Sequence, residues 1–208
     1  MKQMPLRTIG RATGLGLCVL LCGSCGTVVR EGRAASYLVI DSLTASSGAQ
    51  SSTSNVLQSD VITNVKVPGG GTAPTVLEDG GQVTLRFSMK NVTSPTGPTT
   101  NNEITLTGYH VKFTRADGRS TPGVDVPYAF DGGLTGTVKM GLTLNVNFVL
   151  VRAQAKLEPP LAALRGMGGA VIISAIAEVT FYGRDQAGNQ VSVNGTISVN
   201  FADWADPV

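Results

Sequence analysis

The chain is poor in the side chains that build most catalytic and metal sites. Of its 208 residues only His110 is a histidine, and its three cysteines stand together at Cys18, Cys22 and Cys25. With no cysteine after Cys25, everything that follows has no disulfide and must be held by a hydrophobic core, which its length permits. One histidine and no downstream thiol also exclude the usual zinc clusters. Aromatic residues make up 5% of the chain, with a single tryptophan near the C-terminus. A carbohydrate-binding face of stacked rings is therefore not expected, and Trp204 is predicted to cap the open end of a core. Charge is sparse as well, at 14% of residues, with sixteen basic and fourteen acidic side chains. Lys2, Arg7 and Arg11 lie in the first eleven residues, which leaves thirteen basic against fourteen acidic side chains in the remainder. The positive net charge thus belongs to the N-terminal segment, and no nucleic-acid partner is expected.

Catalytic motifs are missing in the same way. No Gly-x-Ser-x-Gly elbow is present to mount a serine nucleophile. His110, between Tyr109 and Val111, reads as a half-exposed strand residue. Gly166-Met167-Gly168-Gly169 lacks the following Lys-Ser/Thr of a phosphate loop. Asp125 and Asp131, or Asp185 with Asn189, offer oxygen ligands for calcium in principle, but acidic residues in β-turns act chiefly as turn formers. Asn91-Val92-Thr93 and Asn194-Gly195-Thr196 fit a glycosylation sequon without further support. The reading is a non-enzyme that needs no cofactor and no metal.

The N-terminus carries the strongest motif. Three cations precede an apolar run over residues 12–21, followed by Cys22-Gly23-Ser24-Cys25. This is the order of a signal peptide: charged region, short apolar region, small residues before a cleavage point. At about ten residues, broken by Gly14 and Gly16, the run is too short to span a bilayer, which takes about 20. Leu20-Leu21-Cys22-Gly23-Ser24-Cys25-Gly26 resembles the lipobox of bacterial lipoproteins, in which two small residues precede a cysteine that is acylated and becomes the new N-terminus. The resemblance assigns 1–24 to a lipoprotein signal peptide, Cys25 to lipidation, and 25–35 to a lipidated N-terminus and tether. Cys22 stands where the lipobox prefers Leu, and as an acceptor it would follow the bulky Leu20 and Leu21. By the same resemblance, to lipoproteins of diderm bacteria, Gly26 in place of Asp favours transport to the outer membrane over retention in the inner one. The alternative is an ordinary secretory leader cut near Ala34-Ala35.

From residue 36 onward the dominant signal is period-two alternation, which sends successive side chains to opposite faces of a strand. Val83, Leu85, Phe87 and Met89 alternate with polar neighbours, as do Val191, Val193, Ile197, Val199 and Phe201. Further strands are expected over residues 37–43, 61–67, 104–115, 124–130, 138–150 and 171–181. One-sided burial of this kind belongs to antiparallel sheets. Residues 45–54, 68–74 and 93–102 are rich in Ser, Gly, Thr and Pro and are expected to be surface loops. A helix of about two turns is expected at Pro159-Pro160-Leu161-Ala162-Ala163-Leu164-Arg165-Gly166, with Pro suited to the first turn and Gly to the stop.

Two segments break the simple pattern. In 104–115 the apolar residues shift from Ile104 and Leu106 to Tyr109, Val111 and Phe113, so one regular strand cannot bury both sets on one face. A β-bulge at Gly108 resolves this, as does a strand passing from one sheet to the other. The segment 138–150 would extend about 43 Å as one strand, well beyond the usual length, so it is expected to curve strongly or serve both sheets.

The segment from Glu178 to Val191, with Asp185-Gln186-Ala187-Gly188-Asn189 at its centre, resembles the terminal hairpin of bacterial immunoglobulin-like domains. Asp185 suits an Asx-type turn, and Gly188 or Asn189 accepts positive φ. The expected fold is therefore all-β: an antiparallel immunoglobulin-like β-sandwich of about eight strands with one short helix, over residues 36–208. The expected function is that of a membrane-anchored envelope lipoprotein with a non-catalytic binding or structural domain. Its partners would be the membrane, through the N-terminal lipid, and an envelope protein or cell-wall component. It would sit at the outer membrane, facing the periplasm or the cell surface. The alternative is a periplasmic ligand carrier or an enzyme using loop residues. Because no thiol follows Cys25, the domain from about Ser36 to Val208 should melt at the same temperature with and without reductant in a calorimetric scan, and any reductant-dependent shift would count against a core-only fold.

Overall fold

The computed structural model describes residues 32–204 apart from positions 49, 51, 94 and 96. The expected leader, Cys25 and most of the tether lie outside the described residues. Within them the chain is mostly β. A three-stranded sheet has β5 (Asp79–Met89) at its centre, flanked by β1 (Ser36–Ser46) and β9 (Leu144–Val151), both antiparallel to it. A larger sheet runs in the order β2 (Val56–Asp60), β11 (Gln190–Ala202), β10 (Ile173–Asp185), β6 (Ile104–Arg115) and β7 (Phe130–Gly132). The short β8 (Gly136–Val138) also pairs with β6, and β3 (Thr63–Lys66) forms a separate hairpin with β4 (Thr72–Thr75). The two larger sheets face each other across one core, and Phe148 of β9 meets Phe181 of β10 edge to face at 5.2 Å.

The alternation maps directly onto this core. Along β10 every second residue from Ile173 to Asp185 is buried, while Ser174, Ile176, Glu178, Tyr182 and Arg184 face solvent. In β6, Ile104, Leu106, Tyr109, Val111 and Phe113 are all buried despite the change of phase. The pairing explains how. Tyr182 of β10 stands opposite Gly108, but the next residue, Gly183, stands opposite Leu106, so Thr107 is the extra residue of a bulge. β6 stays beside β10 on both sides of this point, so the bulge operates and the sheet switch does not. Glycine is required here for closeness: a Cβ on Gly108 would come within 3.0 Å of the Gly132 carbonyl, and one on Gly183 would strike the Ile104 side chain and the Thr105 carbonyl.

The aromatic cluster joins the sheets. Tyr109 lies flat over Gly132 on the neighbouring strand, a site where any side chain would collide with its ring. The same ring packs against Phe130, Phe148 and Phe181. Its hydroxyl accepts a hydrogen bond from the Val149 N–H of the opposite sheet at 3.1 Å. A buried tyrosine is thus satisfied by a backbone group on the facing layer.

Several expected boundaries move, each for a local reason. The segment 138–150 divides: β8 joins the larger sheet and β9 the smaller. Between them residues 139–142 turn, with Gly141 at φ +70° and the Leu142 N–H donating to the Lys139 carbonyl. Met140 and Leu142 consequently face solvent, although the alternation placed them inside. The strand expected over 61–67 is replaced by β2 and β3 on either side of the fully buried Val61. The one expected over 124–130 shrinks to Phe130–Gly132, because Pro122 and Pro127 cannot donate to a ladder and Gly123 turns the chain at φ +75°. These divisions bring the count among the described residues to eleven strands where about eight were expected.

The helix is also displaced. α1 (Ala153–Leu157) precedes the expected position, and Leu161–Leu164 forms a 3₁₀ turn whose Leu161 and Leu164 are buried. Pro159 and Pro160 lack N–H groups and stop α1 rather than starting a longer helix. Finally, β2 pairs with β11 in parallel, against the antiparallel expectation. The two strands are remote in the sequence and no hairpin links them, so connectivity imposes no antiparallel sense.

Phe181 is fully buried, whereas Phe87, which alternation placed inside, is only partly covered. Phe181→Ala should therefore cost about 3 to 5 kcal/mol in denaturant unfolding, and Phe87→Ala clearly less. Equal losses at the two positions would contradict this placement.

Candidate functional site

The densest polar cluster lies inside the molecule, at the end of the sheets where β1 finishes and β5 begins. Asp79, the first residue of β5, is fully buried. Its Oδ1 accepts from the Lys156 ammonium at 2.7 Å and from the Gly48 N–H at 3.0 Å, and its Oδ2 accepts from the Ser59 hydroxyl at 2.6 Å. Ser59 sits on β2 and Lys156 on α1, so one carboxylate ties together both larger sheets, the loop after β1 and the helix. Burial pushes the Asp79 carboxyl above its usual value, against the attraction of the Lys156 ammonium and the hydrogen bonds of Lys156, Ser59 and Gly48. Serine, carboxylate and lysine in contact have the composition of a nucleophile with acid–base partners. Exposures of 0% for Ser59 and Asp79 and 1% for Lys156 leave no path for a substrate, so the group acts as a structural clamp.

The same end carries Trp204. Its backbone N–H donates to Asp60 Oδ1 at 3.0 Å and its indole N–H to the Ser59 carbonyl at 3.2 Å. It thus covers the strand end beside the buried clamp, as a cap would. The Gly166-Met167-Gly168-Gly169 loop lies next to it, and the Gly166 N–H is taken by the Asp203 carboxylate.

The remaining sequence candidates are dispersed. His110 Nδ1 lies 2.8 Å from Asp131 Oδ1 across the β6–β7 pairing, on the solvent face. Asp125 instead closes its own loop, accepting from the Thr121 N–H at 3.3 Å, and is not brought to Asp131. Asp185 accepts from both the backbone N–H and the side-chain amide of Asn189, each at 2.8 Å, while Gly188 takes φ +83°. That is the Asx-type turn expected for the β10–β11 hairpin. Asn91 accepts from the Thr93 N–H and hydroxyl, and Asn194 donates to Glu178 at 3.4 Å. Among the described residues no three His, Cys, Asp or Glu side chains gather as metal ligands.

The open site is elsewhere, at the opposite end of the sheets, where the chain enters β1. A cleft of about 480 Å³ is lined by Tyr37 at the start of β1, Lys90 after β5, Thr107 in the β6 bulge, and Tyr182, Arg184 and Gln190 beside the hairpin turn. The Lys90 ammonium donates to the Gly32 carbonyl at 2.8 Å, which fixes the incoming chain to the rim. Two cations and two phenols, with no carboxylate in the lining, suit an anion carried on an apolar body. The sequence pattern missed this site because its residues come from four strands, and each reads alone as the polar face of a strand. The bulge at Thr107 was the one legible sign that the sheet surface is irregular there.

Comparison with protein-family models, with curated proteins and with solved structures found no match.

Lys156→Met should cost about 3 to 5 kcal/mol, since it leaves a buried carboxylate without its cation. Adding Asp79→Asn should recover much of that loss, because the amide oxygen still accepts from Gly48 or Ser59. Denaturant unfolding of the single and double variants checks this, and equal stability of the two would exclude a clamp governed by charge.

Proposed function

We propose that the chain is a lipid-anchored envelope protein whose body is an immunoglobulin-like β-sandwich serving as a non-catalytic binding or structural module. Cys25 is the acylated residue, and residues 25–35 tether the domain to the outer membrane. The observation that carries this reading is the Leu20-to-Gly26 stretch after a short, cation-led apolar run. The two facing sheets and the Asp185–Asn189 turn between the longest strands support the sandwich. The Ser59, Asp79 and Lys156 cluster is closed to solvent and is read as structural. Its partner would be an envelope protein or a cell-wall component. A ligand carrier is the second reading, and the cleft between Tyr37 and Tyr182 is the observation in its favour.

The anchor is tested at Cys25. Cys25→Ser should convert a detergent-dependent membrane protein into a soluble or uncleaved form, and the N-terminal peptide of the unsubstituted protein should carry the lipid mass. Unchanged membrane partitioning, together with an unlipidated peptide, would overturn the proposal.

A further inference from the structure

We infer that the cleft end of the domain is a membrane-contacting surface that takes anionic phospholipid headgroups, formed by Lys90 and Arg184 in the cleft and by Lys139, Met140 and Leu142 on the adjoining turn. The inference rests on the anchor proposed at Cys25. From Cys25 to Gly32 there are seven residue steps, and an extended chain reaches at most about 3.6 Å per residue, or about 25 Å in all. Gly32 is bound to Lys90 at the rim of the cleft. An anchored Cys25 therefore holds this end close to the bilayer surface, whereas the far end stands beyond strands such as β10, about 40 Å long.

The chemistry of this end matches that position. Arg184 of β10 and Thr105 of β6 are cross-strand partners, and Thr105 is paired in turn with Thr137 of β8, two residues before Lys139. Cleft and turn thus share one row across the larger sheet. Neither the Lys139 nor the Arg184 side chain has an ion pair or hydrogen bond among the described residues. Arg33 adds a further exposed cation at the chain entry; the carboxylates at this end are Glu103 and Asp185, the latter buried and taken up by Asn189. Next to these charges Met140 and Leu142 are 47% and 61% exposed, and the cleft's two phenols, Tyr37 and Tyr182, are also accessible. Cations beside exposed apolar and tyrosyl side chains form the combination that suits the headgroup region of a bilayer. At the far end Asp60, Asp79, Glu158 and Asp203 lie round the clamp, and the cations there are engaged: Lys156 with Asp79, Arg165 with the Lys156 carbonyl, and Arg152 over the Phe130 ring.

The absence of thiols after Cys25 permits a direct test with the full mature protein. With Cys25 acylated, Leu142→Cys or Val171→Cys introduces one reactive thiol, at the cleft end or the far end, for an environment-sensitive fluorophore. The labelled lipoprotein is placed in phosphatidylethanolamine vesicles with or without phosphatidylglycerol and with a lipid-borne quencher. The expected result is quenching at position 142 and not at 171, dependent on phosphatidylglycerol and weakened by salt. Replacing Lys139 and Arg184 by Gln should shift the docking equilibrium about five-fold per charge removed. The salt titration reads the same charges without any substitution, so a poorly folded variant leaves the test intact. Equal quenching at both positions, or quenching indifferent to anionic lipid and salt, overturns the surface while the anchor stands. An N-terminal peptide without lipid mass overturns the anchor and the surface with it.

Discussion

The buried Asp79 carboxylate is the constraint on which the arrangement of elements depends. A carboxylate removed from water without partners costs several kcal/mol, so placing Asp79 at the head of the central strand β5 obliges other elements to meet it. Lys156 supplies the cation and thereby docks α1 against the sheet end. Ser59 brings in β2 from the other sheet, and Gly48 brings in the loop that follows β1. Once α1 is held, the 3₁₀ turn lays Leu161 and Leu164 over the same end of the core. Trp204 closes it through the backbone of Ser59 and the carboxylate of Asp60.

A second constraint acts at the centre of the larger sheet. The extra residue at Thr107 allows β6 to bury two apolar sets of opposite phase, and this is what aims Tyr109 into the inter-sheet space. The cost of the bulge is a local break in the outer face, and the cleft forms there. Packing in the core and shape on the surface therefore share one cause. The clamp closes one end of the sheets, and the bulge, with the fixed entry of the chain through Lys90 and Gly32, shapes the other.

That division gives the two ends different capacities. At the clamp end the Asp79 carboxylate already accepts from Lys156, Gly48 and Ser59, so its contribution is rigidity. The cleft end carries accessible cations and exposed apolar side chains, and it is the end from which the chain departs towards Cys25. In the proposed envelope protein, recognition and anchoring would thus operate at the end that the clamp leaves open.

Much of this was legible in local pattern. Period-two alternation located β1, β5, β6, β10 and β11, because a half-buried strand writes its exposure directly into every second residue. The Asp185–Asn189 turn and the Gly108 bulge were legible for the same reason: turn geometry and phase are local properties of a few residues. The sequence by itself also determined that no disulfide links the body of the chain and that the net positive balance comes from the three cations before Cys25. It could not show that alternation through Met140 and Leu142 crosses a turn, since a chain leaving one sheet for another keeps its rhythm while losing its cover. Nor could it pair Asp79 with Lys156, which are 77 residues apart, or bring Tyr37, Lys90, Tyr182 and Arg184 to one cleft. Those are products of tertiary structure alone, because the distance between two side chains on different strands is set by register and sheet packing, and neither is written in the residues that flank them.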